Sequence, residues 1–355
     1  MTDDHFDAAV IGAGPAGSTV ARLLAEGGAR VALIDHSHPR EKPCGGGLSA
    51  RATAMFPELD RLRPQGRSGT SLRIVSPRGI TVTVKGSGQT FAIDREILDG
   101  TLLDWAMDAG AVLHRHRAMS FERHHQEYLV NTGARIIRAR VLVGADGVYS
   151  LVRRRMVGPI PREHRAFGAH LLVPHLSPPS ALIRFFGDCR GFAWVFNRRD
   201  QSSIGVGLPW TCRENWRRRL ASVFAEQSPG REMGKPRCWS LPQATHIDFF
   251  KAAVAGTDWL LIGDAAGHAD PFLGEGIHYA VWGATLAAEA VLGGQPERYD
   301  RLWRDAYLLH FEHHLRRARL LGSGVLLDGL IGLARIPFIG ARLYETIGGH
   351  PHKTG

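Results

Sequence analysis

The stretch that decides the fold is Asp7–Asp35, DAAVIGAGPAGSTVARLLAEGGARVALID. Its apolar run Ala8–Ile11 leads directly into the spacing Gly-x-Gly-x-x-Gly, formed by Gly12, Gly14 and Gly17. The pattern predicts a strand, a tight turn and a helix. The first glycine permits the turn, the second lets backbone approach a pyrophosphate, and the third lets the helix lie close to the strand. We therefore predict that this stretch binds a dinucleotide.

The remainder of the stretch supports the same interpretation. Pro15 suits the first turn of a helix, where its missing N–H costs nothing. Ala16 belongs to the same turn, whose free N–H groups and positive end are expected to face the phosphates. A second apolar run, Val31–Ile34, is followed by Asp35. An acid about 20 residues after the glycines is the usual partner of a ribose hydroxyl.

Composition narrows the class of protein. The chain has 355 residues, of which 44% are hydrophobic and 22% charged, as in globular proteins of one large or two moderate domains. The net charge of +10 is compatible with nucleic acid, an anionic membrane or an anionic small substrate. No nucleic-acid-reading motif is present in the sequence, so we expect no nucleic-acid partner.

Cysteine and histidine usage argues against disulfides and metal. The four cysteines are scattered and form no C-x-x-C pair: Cys44, Cys189, Cys212 and Cys238. This usage favours a reducing compartment. The histidine clusters lack further ligands at metal-binding spacing, so no metal site is expected. We also expect no signal peptide and no spanning helix. The predicted location is the cytoplasm, with the inner face of the cell membrane as the alternative.

The pattern of predicted elements is interleaved. Helical and buried-strand signals typical of a Rossmann-like domain occupy residues 1–70, 93–158 and 258–295. Strand-rich pieces fill 71–92 and 159–257, including a predicted hairpin at 71–85, and residues 296–355 form a C-terminal helical region. The predicted fold class is therefore mixed α/β: a discontinuous dinucleotide-binding domain with an interleaved antiparallel-sheet substrate domain and C-terminal helices.

Further motifs fall where such a domain would meet its ligand. Arg95 stands at the start of a predicted helix, where it could meet phosphate or ribose. Asp146 lies between glycines after a buried strand, and Asp264 follows another, placed for a ribityl hydroxyl. Gly274, Gly276 and Ile277 are expected to begin a helix whose N–H groups point at the edge of the ligand's ring and would stabilise negative charge there. A surface arginine or a plain turn is the alternative explanation of the first two.

Together these motifs resemble the FAD-dependent group that includes para-hydroxybenzoate hydroxylase, which has one dinucleotide fold, for FAD, and no second one. The loop Lys42–Leu48, KPCGGGL, resembles that of geranylgeranyl reductases, which saturate isolated double bonds in prenyl chains. Gly191–Asn197, GFAWVFN, is similar to their Y-x-W-x-F-P signature. Phe192 replaces the usual tyrosine and Asn197 the closing proline.

The resemblance implies FAD as cofactor, reduced by NAD(P)H or another donor. It implies that Cys44 either supplies a proton or only touches FAD through its backbone, together with Gly45 and Gly46. Ala118 would contact the adenine through backbone. Three aromatic residues recur at period two on one strand, and they either line an apolar tunnel or pack a sheet core; they are Phe192, Trp194 and Phe196.

The predicted function is therefore an FAD-dependent reductase acting on a prenylated lipid or prenyl diphosphate. The alternative is a flavin monooxygenase or halogenase. A halogenase needs a lysine near bound hypohalous acid. Lys85 is the only lysine between Lys42 and Lys235, but it closes a predicted exposed hairpin, and nothing else supports that role. Leu320–Ile347 is rich in Leu, Ile and Gly and has arginines around it. It forms either a flap touching an anionic membrane or an ordinary helical cap. The oligomeric state is left open.

Overall fold

A computed structural model describes residues 5–85, 90–176, 181–320, 324–336, 338–341 and 343. The end of the predicted C-terminal region, residues 344–355, lies outside this set. Among the described residues, no helix combines the length and the apolar character needed to cross a membrane.

The structure has strands of two to ten residues. In chain order they are β1, His5–Ile11; β2, Val31–Ile34; β3, Gly47–Leu48; β4, Arg67–Ser68; β5, Ser71–Val75; β6, Thr81–Lys85; β7, Phe91–Ala92; β8, Val112–His114; β9, Ser120–His124; β10, Glu127–Asn131; β11, Ile136–Gly144; β12, Arg165–Pro174; β13, Ala181–Phe185; β14, Phe192–Asn197; β15, Gln201–Pro209; β16, Arg237–Pro242; and β17, Trp259–Leu261.

The α-helices are α1, Pro15–Glu26; α2, Ala50–Met55; α3, Pro57–Asp60; α4, Arg95–Asp108; α5, Leu151–Met156; α6, Trp216–Gln227; α7, Ile277–Leu292; α8, Arg298–Trp303; α9, Leu309–Leu320; and α10, Gly324–Leu333. A π-helical turn, Arg304–Leu308, joins α8 to α9. Short 3₁₀ segments are Arg63–Gln65, Arg162–His164, Trp210–Asn215, Ile247–Lys251 and Gly263–Ala265.

Two compact units divide the chain. The first comprises residues 1–40, 96–164 and 242–315, and the second comprises residues 41–95, 165–241 and 316–355. Both units are discontinuous, because their segments alternate along the chain.

The first unit is built on a sheet in the order β8-β2-β1-β11-β10-β9, with β17 also paired to β11. β1 runs parallel to β2 and β11, while β10 and β9 are antiparallel additions. The near-continuous apolar sequence of β1 and β2 fits strands that are buried on both faces. Their residues join the main hydrophobic core with the inward faces of α1 and α7. The carboxyl end of β1 therefore opens into the glycine turn.

The second unit contains a sheet in the order β16-β12-β15-β14-β13-β5-β6. The predicted hairpin is confirmed as β5 and β6, and Lys85 lies exposed at its end. Helix α6 covers one face, where alternate residues such as Ala193 and Val195 join the second core. Because side chains alternate along a strand, Phe192, Trp194 and Phe196 lie on the opposite face.

The unit boundaries differ from the predicted domain boundaries chiefly in three places. Residues 242–257 belong to the first unit, whereas the prediction assigned them to the substrate domain. Residues 41–70 pack with the second sheet, whereas the prediction assigned them to the dinucleotide domain. Residues 296–355 do not form a region of their own, since residues up to 315 pack with the first unit. The reason is aromatic packing: Phe311 stacks on Phe250 at 4.7 Å between ring centroids.

Candidate active site

Two glycines of the opening motif are required by close contacts within the first unit. Gly12 has a φ of +102°, and a Cβ there would lie 2.4 Å from the carbonyl oxygen of Ala145. A Cβ on Gly17 would lie 1.8 Å from the oxygen of Gly12. The turn, the first helix and the loop after β11 therefore pack backbone against backbone, and no larger residue fits at either position.

Gly14 is different, because the protein leaves space beside it. Its φ is an ordinary −72°, and a Cβ there would meet only His38 Nε2, at 3.5 Å. Helix α1 begins at Pro15 with no side-chain cap within the described part of the chain, although Pro15–Gly17 are buried. The first-turn N–H groups can therefore serve an external acceptor. This arrangement fits the pyrophosphate of a dinucleotide.

Two later segments converge on the same turn. A Cβ on Gly263 would lie 3.0 Å from Cβ of Ala16, and one on Gly276 would lie 3.5 Å from Oδ1 of Asp264. Helix α7 begins at Ile277, again without a side-chain cap among the residues described. The structure thus places a second helix N-terminus beside the Asp264 loop, as expected for a site that favours negative charge.

Of the residues expected to begin this helix, Ile277 does so and Gly276 is its N-cap residue, whereas Gly274 lies outside the helix. Gly274 has a φ of +72°, which a helix does not contain, and its N–H donates to the carbonyl of Asp270 at 2.9 Å. The Asp270 carboxylate accepts from the N–H of Phe272 at 2.6 Å. A closed turn therefore precedes the helix. His314 of α9 lies 2.9 Å from the same carboxylate, which connects the turn to the C-terminal helices.

Asp146 and Ala118 also lie in the first unit. The Asp146 carboxylate accepts the N–H of Leu151 at 2.6 Å, at the start of α5, and burial raises its pKa. Its side chain therefore helps to hold the loop that packs on Gly12. Ala118 lies between β8 and β9 and packs against the main core. Their predicted contacts with the cofactor stay predictions.

Asp35 belongs to a buried chain of charged groups. Its carboxylate accepts the N–H of Ala13 at 2.9 Å and lies 2.9 Å from His38 Nδ1. The other ring nitrogen of His38 lies 3.5 Å from Asp99, whose side chain is fully buried. Burial opposes the charged ring, but hydrogen bonds to both carboxylates raise the pKa of His38, and His38 helps to hold the pKa of Asp35 well below its usual range. Asp35 therefore anchors the glycine turn itself.

The second unit contains the predicted cysteine loop, which crosses four neighbouring strands. Its successive residues meet β16, β12, β15 and β14 in the order of the sheet. Lys42 Nζ lies 6.0 Å from the centroid of the Trp239 ring on β16, and Pro43 lies 4.0 Å from a Cβ built on Gly168 of β12. The Cys44 carbonyl accepts from Ser203 Oγ of β15 at 3.2 Å. A Cβ built on Gly45 would lie 2.2 Å from the Phe196 ring of β14. The loop therefore lies on the aromatic face of the sheet.

The Cys44 thiol is held within this loop. Its Sγ accepts the N–H of Gly46 at 3.2 Å, and the Gly46 carbonyl accepts the N–H of Ile93 at 3.0 Å. Gly46 has a φ of +74°, and a Cβ there would lie 2.1 Å from the Ile93 oxygen. Each of the four cysteines is a free thiol. Arg95 is buried at the start of α4, and its N–H donates to Glu41 at 3.2 Å.

The aromatic strand supports the loop from below. Trp194 is buried, and its Nε1 donates to Ser203 Oγ at 3.0 Å. A Cβ on Gly205 would lie 2.1 Å from the Trp194 ring, so this glycine makes room for the indole. Phe192 and Phe196 are half-buried. The two motifs that the resemblance singled out are therefore in direct contact, although their binding of substrate stays a prediction.

Several residues of these sites had no signal in the sequence. Arg198 follows the aromatic strand in a turn, where charged residues are usually solvated, yet it is fully buried. Its partners lie more than a hundred positions away in the chain. His38 and Asp99 are similarly joined only by the fold. Within the part of the chain that the structure describes, no group of three or more His, Cys, Asp or Glu could hold a metal ion.

Comparison with known proteins agrees with this geometry. A family described as an FAD binding domain matches residues 5–292. A geranylgeranyl diphosphate reductase of Rhodobacter capsulatus is 33% identical over 305 residues, which cover 81% of this chain and 75% of that protein. The chain belongs to the geranylgeranyl reductase family of FAD-dependent oxidoreductases.

A further curated relative and a solved structure also cover most of the chain. A menaquinone reductase of Mycobacterium tuberculosis is 32% identical over 343 residues, which cover 85% of this chain and 79% of that protein. The crystal structure of a geranylgeranyl bacteriochlorophyll reductase-like protein from Thermoplasma acidophilum has a TM-score of 0.80 and 20% identity, and the match covers 98% of this chain and 97% of that one. The latter likeness concerns the fold, and the predicted mixed α/β class is confirmed.

FAD, when bound, supplies the electron-transfer chemistry of an oxidoreductase. The residues of this chain that would hold FAD are those at the starts of α1 and α7, together with Asp35 and Asp264. Gly14 and Ala16 would receive the pyrophosphate, Asp35 would face the ribose, and the start of α7 would stabilise negative charge.

The contrast between Gly14 and Gly17 gives a direct test of the cofactor site. Gly14→Ala should fold normally, because the protein has space for the methyl group, but its affinity for FAD should fall at least roughly tenfold, about 1.4 kcal/mol. Gly17→Ala should fail to fold, or its free energy of unfolding should fall by about 1–3 kcal/mol or more, because the added methyl group overpacks the core. Fluorescence titration with FAD and thermal unfolding measure both. Wild-type affinity in folded Gly14→Ala would contradict the assignment.

The buried pair of His38 and Asp35 predicts a pH-dependent stability. Since the pKa of His38 is raised, its stabilisation is complete below the unfolded value of about 6.5 and is lost as pH rises through the folded value. His38→Gln should lower the free energy of unfolding by about 1–3 kcal/mol at pH 6 and by less at pH 9. Urea unfolding at both pH values measures this, with exposed His36→Gln as control. An equal loss at both values would exclude the charged pair.

Proposed function

We propose that this oxidoreductase saturates isolated carbon–carbon double bonds of a geranylgeranyl-type prenyl chain. The observation that supports the proposal most strongly is the crossing of the Cys44 loop over the aromatic face of the second sheet. A free thiol and an apolar aromatic surface are thereby brought to one place. The family relatives that bear prenyl reductase names favour the same chemistry.

The chemistry explains why these residue types are needed. An isolated alkene has no carbonyl to spread developing charge, so one carbon must receive hydride while the other receives a proton. Reduced FAD would supply the hydride, which carries both electrons. The flavin would be reduced again by NAD(P)H or another donor. The protein must exclude water, orient the double bond and supply the proton.

Cys44 is the proposed proton donor. Its thiol is held by the Gly46 N–H, and its loop is held on the sheet, so the group has a fixed position. After donation the thiolate would regain a proton from solvent. Phe192, Trp194 and Phe196 would provide the apolar surface for the prenyl chain. The proposed substrates are a prenylated lipid or a prenyl diphosphate, whose anionic group the net charge of +10 would favour.

Product analysis tests both the activity and Cys44. The holoprotein, with its flavin reduced anaerobically, is given geranylgeranyl diphosphate, an unsaturated archaeal-type phospholipid ether or menaquinone in turn. We expect a mass gain of about two daltons per saturated bond. Cys44→Ala should retain FAD but lose roughly a hundredfold or more in kcat, as for removal of a general acid. The exposed Cys238→Ala is the matched control.

The proposed activity and the proposed role of Cys44 would be contradicted by different outcomes. Hydroxylated or halogenated products that require oxygen would favour the alternative, a flavin monooxygenase or halogenase. Unchanged turnover in Cys44→Ala would remove Cys44 from the proton step while leaving the reductase activity in place.

We also propose that the C-terminal segment contacts an anionic membrane. Helix α10 is anchored on one side, where buried Asp328 accepts from Ser76 Oγ and from the N–H of Arg78. Its other side and the following residues expose large apolar side chains, here called the apolar C-terminal face: Val325, Leu326, Leu333, Ile336 and Phe338. Nearby exposed arginines include Arg316, Arg317, Arg319 and Arg335, while Arg342 lies outside the described residues. Apolar surface with basic neighbours suits anionic lipid.

Vesicle sedimentation tests this face. The protein should bind phosphatidylglycerol vesicles more tightly than phosphatidylcholine vesicles, and high salt should weaken the binding. Leu326→Glu should reduce the affinity for the vesicles roughly tenfold, because burial of one leucine side chain in the lipid stabilises the bound state by about 1.5 kcal/mol or more. Met119→Glu, also at an exposed apolar residue, should have no effect. Equal reduction by both substitutions, or no preference for anionic vesicles, would contradict the proposal.

A further inference from the structure

Arg198 is a fully buried cation in the second unit. A guanidinium taken out of water is stable only when carboxylates and hydrogen-bond acceptors surround it. Here Nη1 lies 2.9 Å from Glu41 Oε1 and 2.7 Å from Asp94 Oδ1. Gln201 Nε2 donates to the same Asp94 oxygen at 2.7 Å. The two carboxylates therefore compensate the buried charge and hold one arm of the guanidinium.

The other arm of the guanidinium reaches the cysteine loop. Nη2 donates to the Cys44 carbonyl at 2.8 Å, and a Cβ on Gly46 would lie 3.3 Å from Nε. The planar fork thus joins a pair of carboxylates to the backbone of Cys44. A lysine, with a single ammonium group, could not keep this geometry.

A second donor holds the same carbonyl. Ser203 Oγ lies 3.2 Å from the Cys44 oxygen, 3.0 Å from Trp194 Nε1 and 3.1 Å from His170 Nδ1. A hydroxyl has one proton and two acceptor sites. All three bonds are satisfied when Ser203 donates to Cys44 and accepts from the other two, which places the proton of neutral His170 on Nδ1. Burial and the neighbouring Arg198 lower the pKa of His170 to about 3, in keeping with a neutral ring.

We propose that Arg198 is the positioning residue of the active-site loop. It fixes the Cys44 carbonyl, and with it the thiol, on the aromatic face of the sheet. The ion pairs with Glu41 and Asp94 keep the guanidinium in place, and Ser203 donates to the same Cys44 carbonyl from the neighbouring strand. The catalytic consequence rests on the proposed function of Cys44, whereas the structural consequence for the loop does not.

Alkylation of Cys44 tests the effect on the loop. The holoprotein carries Cys189→Ser, Cys212→Ser and Cys238→Ser, so that iodoacetamide reports on Cys44 alone by intact mass. Arg198→Lys retains the charge but loses the fork. The reaction should become roughly tenfold faster, the effect expected when loss of a charged hydrogen bond favours loop opening. Arg199→Lys, at the exposed neighbouring position, should leave the rate unchanged.

Prenyl turnover separates positioning from general stability. Arg198→Lys should lower kcat while KM stays within about twofold, because the substrate surface is retained and the proton donor is displaced. Wild-type alkylation rate and kcat in folded, FAD-containing Arg198→Lys would overturn the proposal. If that variant does not retain FAD, Asp94→Asn keeps the acceptor oxygen and weakens the clamp. It should give a smaller increase in alkylation rate, and an unchanged rate would overturn the proposal.

The two proposals can fail independently. If the wild-type protein reduces no prenyl substrate, the proposed function fails, but the alkylation rates of Arg198→Lys and Arg199→Lys still decide whether Arg198 holds the loop.

Discussion

The buried guanidinium of Arg198 imposes the strongest constraint on the second unit. Because its charge must be compensated away from water, Glu41 and Asp94 must come to one place, and the Cys44 carbonyl with them. The short path from Glu41 to Cys44 is thereby pinned to the sheet. This explains why residues 41–70 pack with the sheet unit, although they directly follow the dinucleotide-binding stretch in the chain.

The first unit has the features that would hold a large anionic cofactor with little side-chain charge. The starts of α1 and α7 have no side-chain caps among the described residues, so their backbone N–H groups are available to a ligand. Backbone contacts at Gly12 and Gly17 bring the turn and helix together, while Gly14 leaves the approach open. Asp35 and His38 then secure the turn from the side of β2.

Local patterns explain what could be predicted. The strand, turn and helix at Ala8–Gly17 and the hairpin depend on neighbouring residues, and the structure has them where expected. The exclusion of Gly274 from α7 could not be predicted, because a positive φ does not show in a glycine-rich sequence. Arg198 and His38 could not be found, since their roles come from partners that only the fold brings close. Nothing in the sequence around Arg198 distinguishes it from the solvated arginines of a basic chain.

The most direct test of the central claim is anaerobic reoxidation of the reduced flavin, followed by stopped-flow absorbance. With oxygen excluded, a geranylgeranyl substrate should oxidise the flavin as fast as product forms, with one flavin oxidised per double bond saturated. If the flavin stays reduced with every prenyl substrate and is oxidised only when oxygen is admitted, the protein is not a prenyl reductase.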